Sequence, residues 1–523
     1  MKKTGIAVLF GLLLLSGLRV PLTTADNAPF TDIHNSYARS EITRLHKQGI
    51  VKGDGNGRFH PGQPVTRAEF VTMLGRTLGV NPVFSPLQAF RDVPRAHWAN
   101  GWIHAAVQSS IAQGTSPVTF APAHAISRQE AAVMIMRAYS RQTGISPSDV
   151  LQDQHEVAQW ALPSVKQAVD SGLMTGFDGR FRPRATLTRE ELAVIVSRMV
   201  GVPASGSGVE RPSIQLAWQY GGTTGDFIKQ VQHTPVNVLS PRWFFLDKSG
   251  NVTDSGDASL VKWAHENNKQ VWAMVGNRFQ ADVTHQLVSQ EARRKAFMER
   301  IVHLSEKYRL DGINLDFENV KASDRRDFSV FIRELSQVLR EKGVLLSVDV
   351  PPDLGNSWSA AYDYEELGRH VDYLVIMTYD EHWSGSPRAG SVSSLPWFEQ
   401  HLRNITARVP AKKIIAGMPL YTRDWFVANG KVESRDLLIQ EQYDLLAQKK
   451  PRIAWEPTMA QYVATYTQSS VVHTIWVEDS RSIAEKIKAS RALGISGTAY
   501  WHLGGGTRDI WTTVDNIGKL HAR

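Results

Sequence analysis

Three tetrapeptides, Thr66-Arg67-Ala68-Glu69, Ser127-Arg128-Gln129-Glu130 and Thr188-Arg189-Glu190-Glu191, recur at one fixed interval, with their arginines at positions 67, 128 and 189. A fixed period of this length predicts stacked units, because a unit so short buries its apolar face only against a neighbour. Each tetrapeptide also has the form of a capping box, Thr or Ser with Glu three residues on, and apolar runs follow at 70–78 and 192–200. Capping accounts for the first and fourth positions. It leaves the arginine unexplained, since a cation at a helix N-terminus opposes the helix dipole. The reading is that each arginine, with backbone N–H groups beside it, is placed to grip an anion.

The units open with Phe30-Thr31-Asp32, Phe90-Arg91-Asp92 and Leu151-Gln152-Asp153, and with those openings they resemble S-layer homology (SLH) repeats. The resemblance divides this part of the chain at 26–85, 86–146 and 147–200 and implies a mainly α-helical module with pseudo-threefold arrangement. It implies that the grooves between units bind an anionic secondary polysaccharide of a Gram-positive-type cell wall. Arg67, Arg128 and Arg189 match the family's anchoring arginine, and Trp98 and Trp160 match an aromatic of the first helix, with Tyr37 near that place in the first unit.

Charge favours an acidic polymer over nucleic acid as the partner. Residues 26–200 hold 18 basic and 14 acidic side chains, 15 of the basic ones arginine, whereas the chain beyond is nearly balanced at 38 against 37. A nucleic-acid surface needs a denser basic patch. The absence of cysteine excludes disulfides, thiolate metal sites and cysteine nucleophiles. Residues 1–25 read as a secretory signal, with Lys2 and Lys3 before an apolar run and Thr23-Thr24-Ala25 as small residues for cleavage. The run is shorter than the ~20 residues that span a bilayer. The expectation is export, no membrane span after signal removal, and a secreted, cell-surface location.

Residues 201–212, with Pro203-Ala204-Ser205-Gly206-Ser207-Gly208, form a composition break that reads as a linker. Beyond it, at 213–523, strand-like runs lie at 214–220, 236–240, 270–275, 312–318, 345–350, 373–379, 413–420 and 497–501. Helical apolar spacing separates them, as at Phe328, Ile332, Leu335 and Leu339. This rhythm predicts an α/β fold, a (β/α)8 TIM barrel whose strand C-termini carry the functional side chains. The longest interval, 422–472, predicts a small subdomain over the barrel mouth.

The fourth run lies within DGINLDFENV, residues 311–320. Side chains two apart in a strand share a face, so Asn314, Asp316 and Glu318 point together and away from Ile313, Leu315 and Phe317. Carboxylates side by side on a buried face resist joint ionisation, so at least one pKa rises toward the value that a general acid needs. An edge strand with one wet face would also accommodate the pattern. Later strand ends add Met377-Thr378-Tyr379-Asp380, Tyr421-Thr422-Arg423-Asp424-Trp425 and Tyr500-Trp501. Aromatic faces of this kind stack on sugar rings, while carboxylates and hydroxyls address their polar edges.

In this order the motifs resemble family 18 glycoside hydrolases, and the forms of 311–320 and 419–425 resemble its branch of spore-germination and peptidoglycan N-acetylglucosaminidases. The resemblance implies Glu318 as proton donor, Asp316 as partner of the substrate acetamide and Tyr379 as donor to its carbonyl, the acetamide itself being the nucleophile. It implies substrate contacts from Asp311, Asn314, Met377, Asp380, Tyr421, Arg423 and Trp425, and a sugar platform on Trp501. Asn314 stands where the family usually has aspartate. The expectation is one charge fewer in the stack, so that Asp316 ionises more readily and Glu318 is raised less. No cofactor or metal is expected, the 17 histidines showing no metal-binding spacing. The implied function is retaining hydrolysis of a β-linked N-acetylglucosamine glycan, foremost peptidoglycan, at the cell wall. A chitinase and a glycan-binding surface protein without turnover are the alternatives.

Overall fold

The computed structural model describes residues 28–139, 151–200 and 213–521, so the expected signal and linker lie outside the described residues. Each repeat contributes two helices: α1 Arg39–Lys47 and α2 Arg67–Thr77, α3 Asn100–Gln108 and α4 Arg128–Ala138, α5 Leu162–Asp170 and α6 Arg189–Val200. The second helix of each pair starts as its tetrapeptide predicts. Thr66 with Glu69, Ser127 with Glu130 and Thr188 with Glu191 exchange side-chain and backbone hydrogen bonds across the first turn.

The arginines behave differently from the expectation. Arg67, Arg128 and Arg189 are only 4%, 6% and 8% exposed. Arg67 donates to the carbonyls of Phe120 and Gln113 in the second repeat and pairs with Glu130. Arg128 does the same to Phe181, Thr175 and Glu191 of the third repeat. Arg189 returns to Phe59, Lys52 and Glu69 of the first. The guanidinium groups also lie over the rings of Phe120, Phe181 and Phe59 at 4.8, 5.0 and 4.7 Å. The three units therefore close into a ring, each clasping the next. The rigid fork that suits an anion is turned inward, onto carbonyls and a glutamate. Trp98, Trp160 and Tyr37 are exposed instead. Trp98 shares a groove of about 240 Å³ with Lys52, Asp54, His60, Glu69, Arg76 and Arg189.

All eight expected barrel strands are present: β1 Ile214–Trp218, β2 Val238–Ser240, β3 Gln270–Gly276, β4 Gly312–Asp316, β5 Leu345–Val350, β6 Tyr373–Ile376, β7 Ile414–Pro419 and β8 Gly497–Trp501. Each pairs in parallel with its neighbours, and β8 pairs with β1, which closes the barrel. Period two holds along β4. Ile313, Leu315 and Phe317 belong to the outer core, where Phe317 stacks on Phe331, while Asn314 faces the barrel interior and bonds to Trp218 of β1. An inner cluster that includes Trp218, Trp272, Met274 and Ile415 fills the barrel, so it is a packed core rather than a pore.

The expected subdomain is a five-stranded antiparallel sheet formed by Tyr421–Ala428, Lys431–Leu438, Arg452–Glu456, Gln461–Gln468 and Val471–Val477. Asn429 and Gly430 join its first two strands with positive φ at both positions, 51° and 72°, which is the tight turn that matches strand twist. Helices Ser480–Ala492 and Arg508–His521 seat the barrel on the repeats. Buried Gln108 of α3 bonds Ser480 and Thr513, and Asn81 exchanges two hydrogen bonds with Asn516. Every polar group named at this seam has a partner, so its burial is compensated.

Replacing Arg128 by alanine leaves Glu191 without its cation and two carbonyls without their donor. The expected loss is about 3 kcal/mol of repeat-module stability, with lysine rescuing little because it lacks the planar fork. Scanning calorimetry checks this, and a melting temperature equal to wild type would show that the ring does not depend on the clasp.

Candidate active site

The site is built around the end of β4. Asn314 lies on the barrel axis with no exposed surface, and all of its amide capacity is used. Its Oδ1 accepts from Trp218 Nε1 at 2.8 Å and Ser240 Oγ at 3.0 Å; its Nδ2 donates to Ser347 Oγ at 3.0 Å and to Asp349 Oδ1 at 2.7 Å. Four strands thus meet on one amide.

The strand stops at Asp316, two residues short of the expected end. The cause is local: the backbone at Phe317 and Glu318 bonds side chains instead of a neighbouring strand. Tyr362 donates its hydroxyl to the Phe317 carbonyl at 2.7 Å. Asn277 takes the Glu318 N–H at 3.1 Å and donates to the Glu318 carbonyl at 2.6 Å. Asn277 and Tyr362 are both 1% exposed, so Glu318 projects from a backbone pinned on two sides. Asn319 follows at φ 53°, a left-handed turn that asparagine tolerates.

Asp316 and Glu318 both hold their protons more tightly than usual. Burial pushes Asp316 up to about 6, against the field of Arg242. Burial, then Asp316 and Asp380, push Glu318 up to about 9. Asp349 rises well above the carboxylate range, through burial and then the nearby Asp316, although its bond from Asn314 opposes this. Burial and mutual repulsion raise both, so the two resist joint ionisation and share a proton to higher pH than isolated carboxyls would. A third acid, Asp349 one strand over, joins this layer beside Asn314, and burial holds it in its protonated form, so it adds a hydrogen-bonding group rather than a charge.

Across the mouth, Tyr379 follows β6 and packs against Gly417, where an added Cβ would lie 3.1 Å from the tyrosine ring. Asp380, at φ 62°, turns its carboxylate back to accept from Tyr421 at 2.6 Å and from Arg423 at 2.9 Å. Arg423 is buried and also pairs with Asp436, so it braces Asp380 from inside the subdomain. Trp501 closes the floor at the end of β8, with Trp218 and Tyr220 edge-on to it at 5.9 and 5.7 Å. Met377 is half-buried at the end of β6, its N–H donated to Val350.

Two residues expected at the substrate lie elsewhere. Asp311 precedes β4, at the opposite end of the strand from Asp316, roughly 16 Å away at 3.3 Å per residue. There it accepts from the Val271 N–H and bonds His265. Trp425 is 1% exposed inside the five-stranded sheet, between Thr474 and Ser434. Its strand has two faces, and the tryptophan is on the covered one. Asp349, Asn277 and Tyr362 escaped sequence reading. Position offered the one available signal, since Asp349 and Asn277 both lie at the C-terminal ends of barrel strands.

Comparison with known proteins agrees with this geometry. The profile of "Glycosyl hydrolases family 18" matches residues 225–506, and that of the "S-layer homology domain" matches 29–71, 89–132 and 152–193. An uncharacterised glycosylase of Bacillus subtilis, YvbX, is 28% identical over 56% of this chain and 89% of its own. A cortical fragment-lytic enzyme of Bacillus anthracis is 29% identical over 43% of this chain and 54% of its own, so the match spans about half of that relative. The crystal structure of a chitinase from Chromobacterium violaceum superposes with a TM-score of 0.54 at 28% identity, covering 58% of this chain and 98% of that one.

Two measurements follow from the carboxylates. In the folded state Glu318 keeps a proton that the unfolded chain gives up, so stability falls as pH rises from about 4.5 toward 9. Glu318→Gln removes that penalty. The variant is expected to be more stable than wild type at pH 7 by on the order of 2–3 kcal/mol and equal to it near pH 4, as read by denaturant unfolding at both pH values. Asn314→Asp adds negative charge beside Glu318, so the acid survives to higher pH and the alkaline limb of any hydrolytic activity moves upward. Adding Asp349→Asn restores one amide and one carboxylate and returns the limb toward wild type. A limb that ignores both changes would disprove the coupling.

Proposed function

The chain belongs to family 18 of the glycosyl hydrolases, and on that footing we propose that it cleaves β-linked N-acetylglucosamine in peptidoglycan, with Glu318 as the acid and the substrate's own acetamide as nucleophile. The observation that carries the reading is geometric: Asp316 and Glu318 lie together, buried, at the end of β4, on a backbone pinned by Asn277 and Tyr362, where burial raises both carboxyls. Glu318 protonates the glycosidic oxygen as the acetamide oxygen attacks the anomeric carbon. Asp316, ionised, accepts the acetamide N–H and offsets the positive charge of the cyclic oxazolinium. Tyr379 donates its hydroxyl to the acetamide oxygen. Glu318, now a carboxylate, takes a proton from water, which opens the ring with overall retention. Trp501 supplies the apolar face for the sugar. Asp380, braced by Tyr421 and Arg423, adds the negative field that keeps Glu318 protonated.

Peptidoglycan is favoured over chitin because the chain carries an SLH module, a surface-anchoring element, and because a relative is named for lysis of cortical fragments. The exposed Trp98, Trp160 and Tyr37 and the groove at Trp98, where Lys52 and Arg76 stand, are the surfaces proposed for an anionic secondary wall polysaccharide. On this reading the protein works outside the cell, at a Gram-positive-type wall, a location that the SLH repeats support at the level of the cell surface. Likeness to a solved chitinase supports chitin as the second reading.

Mass spectrometry of digests of wall sacculi and of chitin decides between them. The expected products from sacculi end in reducing N-acetylglucosamine, form first as the β-anomer and vanish with Glu318→Gln. Reducing muramic ends, release from chitin alone, or undiminished products from the variant would each reject the proposal. Binding to sacculi without new reducing ends would identify a lectin.

A further inference from the structure

Among the described residues the four fully buried arginines, Arg67, Arg128, Arg189 and Arg423, pair with Glu130, Glu191, Glu69 and Asp380. Arg242 is different. It is half-buried, its Nε is sealed from solvent without a hydrogen-bond partner, as that of Arg423 is, but unlike Arg423 it meets no carboxylate within ion-pair distance among the described residues. It stands just past the end of β2, two residues after Ser240, among the rings of Tyr220, Phe245 and Trp501, at 4.9, 5.3 and 5.7 Å from their centroids. A fixed positive charge thus lies beside the ring proposed to carry the sugar.

Aromatic faces offset part of the cost of withdrawing a cation from water, but not the lack of a counter-ion. Tuning of the acids accounts for only part of the position: the field of Arg242 favours ionisation of Asp316, which the reaction uses as a carboxylate, but also of Glu318, which it needs protonated. A second guanidinium, Arg278, covers Phe245 at 4.1 Å, so positive charge is concentrated on this flank of the mouth. What Arg242 lacks is a carboxylate in direct contact, and the cleft is where a glycan would bring one.

We propose that Arg242 receives a carboxylate carried by the glycan, on a sugar adjoining the one that stacks on Trp501. The ligand class is an N-acetylhexosamine chain bearing an ether-linked lactyl carboxylate, as a muramyl residue does once its peptide has been removed. Peptide attachment converts that carboxylate to an amide and abolishes the charge. The preferred substrate is therefore a stripped strand, and a reaction that cleaves the lactyl amide must come first. The inference rests on the peptidoglycan reading above, and its test separates the two.

The test uses the full chain with Glu318→Gln, so that binding is read without turnover. Alternating N-acetylglucosamine–muramic acid oligosaccharides with free lactyl carboxylates, and the same oligosaccharides as methyl esters, are titrated calorimetrically. With Arg242 in place the acid is expected to bind roughly tenfold or more tighter than the ester, as a charge-assisted fork to a carboxylate allows. With Arg242→Gln that ratio falls to near one; with Arg242→Lys, which keeps charge but not the fork, it is intermediate. Carboxylate affinity of the repeat module is common to all three and cancels from the comparison. An acid-to-ester ratio that does not depend on residue 242 overturns the assignment. So does a shifted pH profile of Arg242→Gln in the otherwise wild-type enzyme with no change in substrate preference, which would make Arg242 a tuner of Asp316 and Glu318. Separately, cleavage of chito-oligosaccharides but not of the free-acid glycan by the wild-type enzyme would reject the peptidoglycan reading, whatever the titration shows.

Discussion

Three carboxylates, Asp316, Glu318 and Asp349, share a volume at the top of the barrel that cannot hold three negative charges. Low polarisability around them makes each ionisation oppose the next. What keeps the arrangement intact is the amide of Asn314, which donates to Asp349 and is itself held by Trp218 and Ser240. An aspartate in its place could not donate to Asp349 unless it kept a proton. The amide ties β1, β2, β4 and β5 together through uncharged bonds, and it leaves ionisation to be settled among the three acids.

The remainder of the mouth adjusts that settlement from several directions. Asp380 pushes Glu318 toward its protonated form, while Arg242 pulls the other way. Asp380 is steadied by Tyr421 and Arg423, which belong to the inserted sheet. The subdomain therefore does more than cover the barrel: its first strand fixes one of the charges that the acid feels. Asn277 and Tyr362 fix the acid's own backbone. These supports reach Glu318 from chain segments far apart in sequence, and the structure stores little freedom where the proton is held.

What the sequence discloses here is whatever repeats locally. Period two in Gly312–Asp316, helical spacing between strands and the recurrent arginines are each visible within a few residues, and each leads to the right element. The meaning of Asp349 is not local. In LLSVDV it is a lone acid in an apolar strand, and only the register that sets Asn314 opposite Ser347 brings it within reach. Asp311 and Trp425 failed for the converse reason. Both belong to contiguous motifs, but a strand has two ends and two faces, and they lie on the wrong ones. The arginines of the repeats are legible by their period, but their contacts are not, because a cation at a helix start can turn to a neighbour's carbonyls as readily as to a ligand.

That turning gives the repeats a property that open solenoids lack. In a linear stack each unit touches only its neighbours, and the ends are capped, so a unit can be gained or lost with modest effect. Here the third arginine returns to the first repeat, and no end exists to cap. Deleting any one unit strands a guanidinium on one side of the gap and a glutamate on the other. Recombination can therefore carry this module from one protein to another only as a complete trio, and a chain that inherits two copies inherits an unfinished circle.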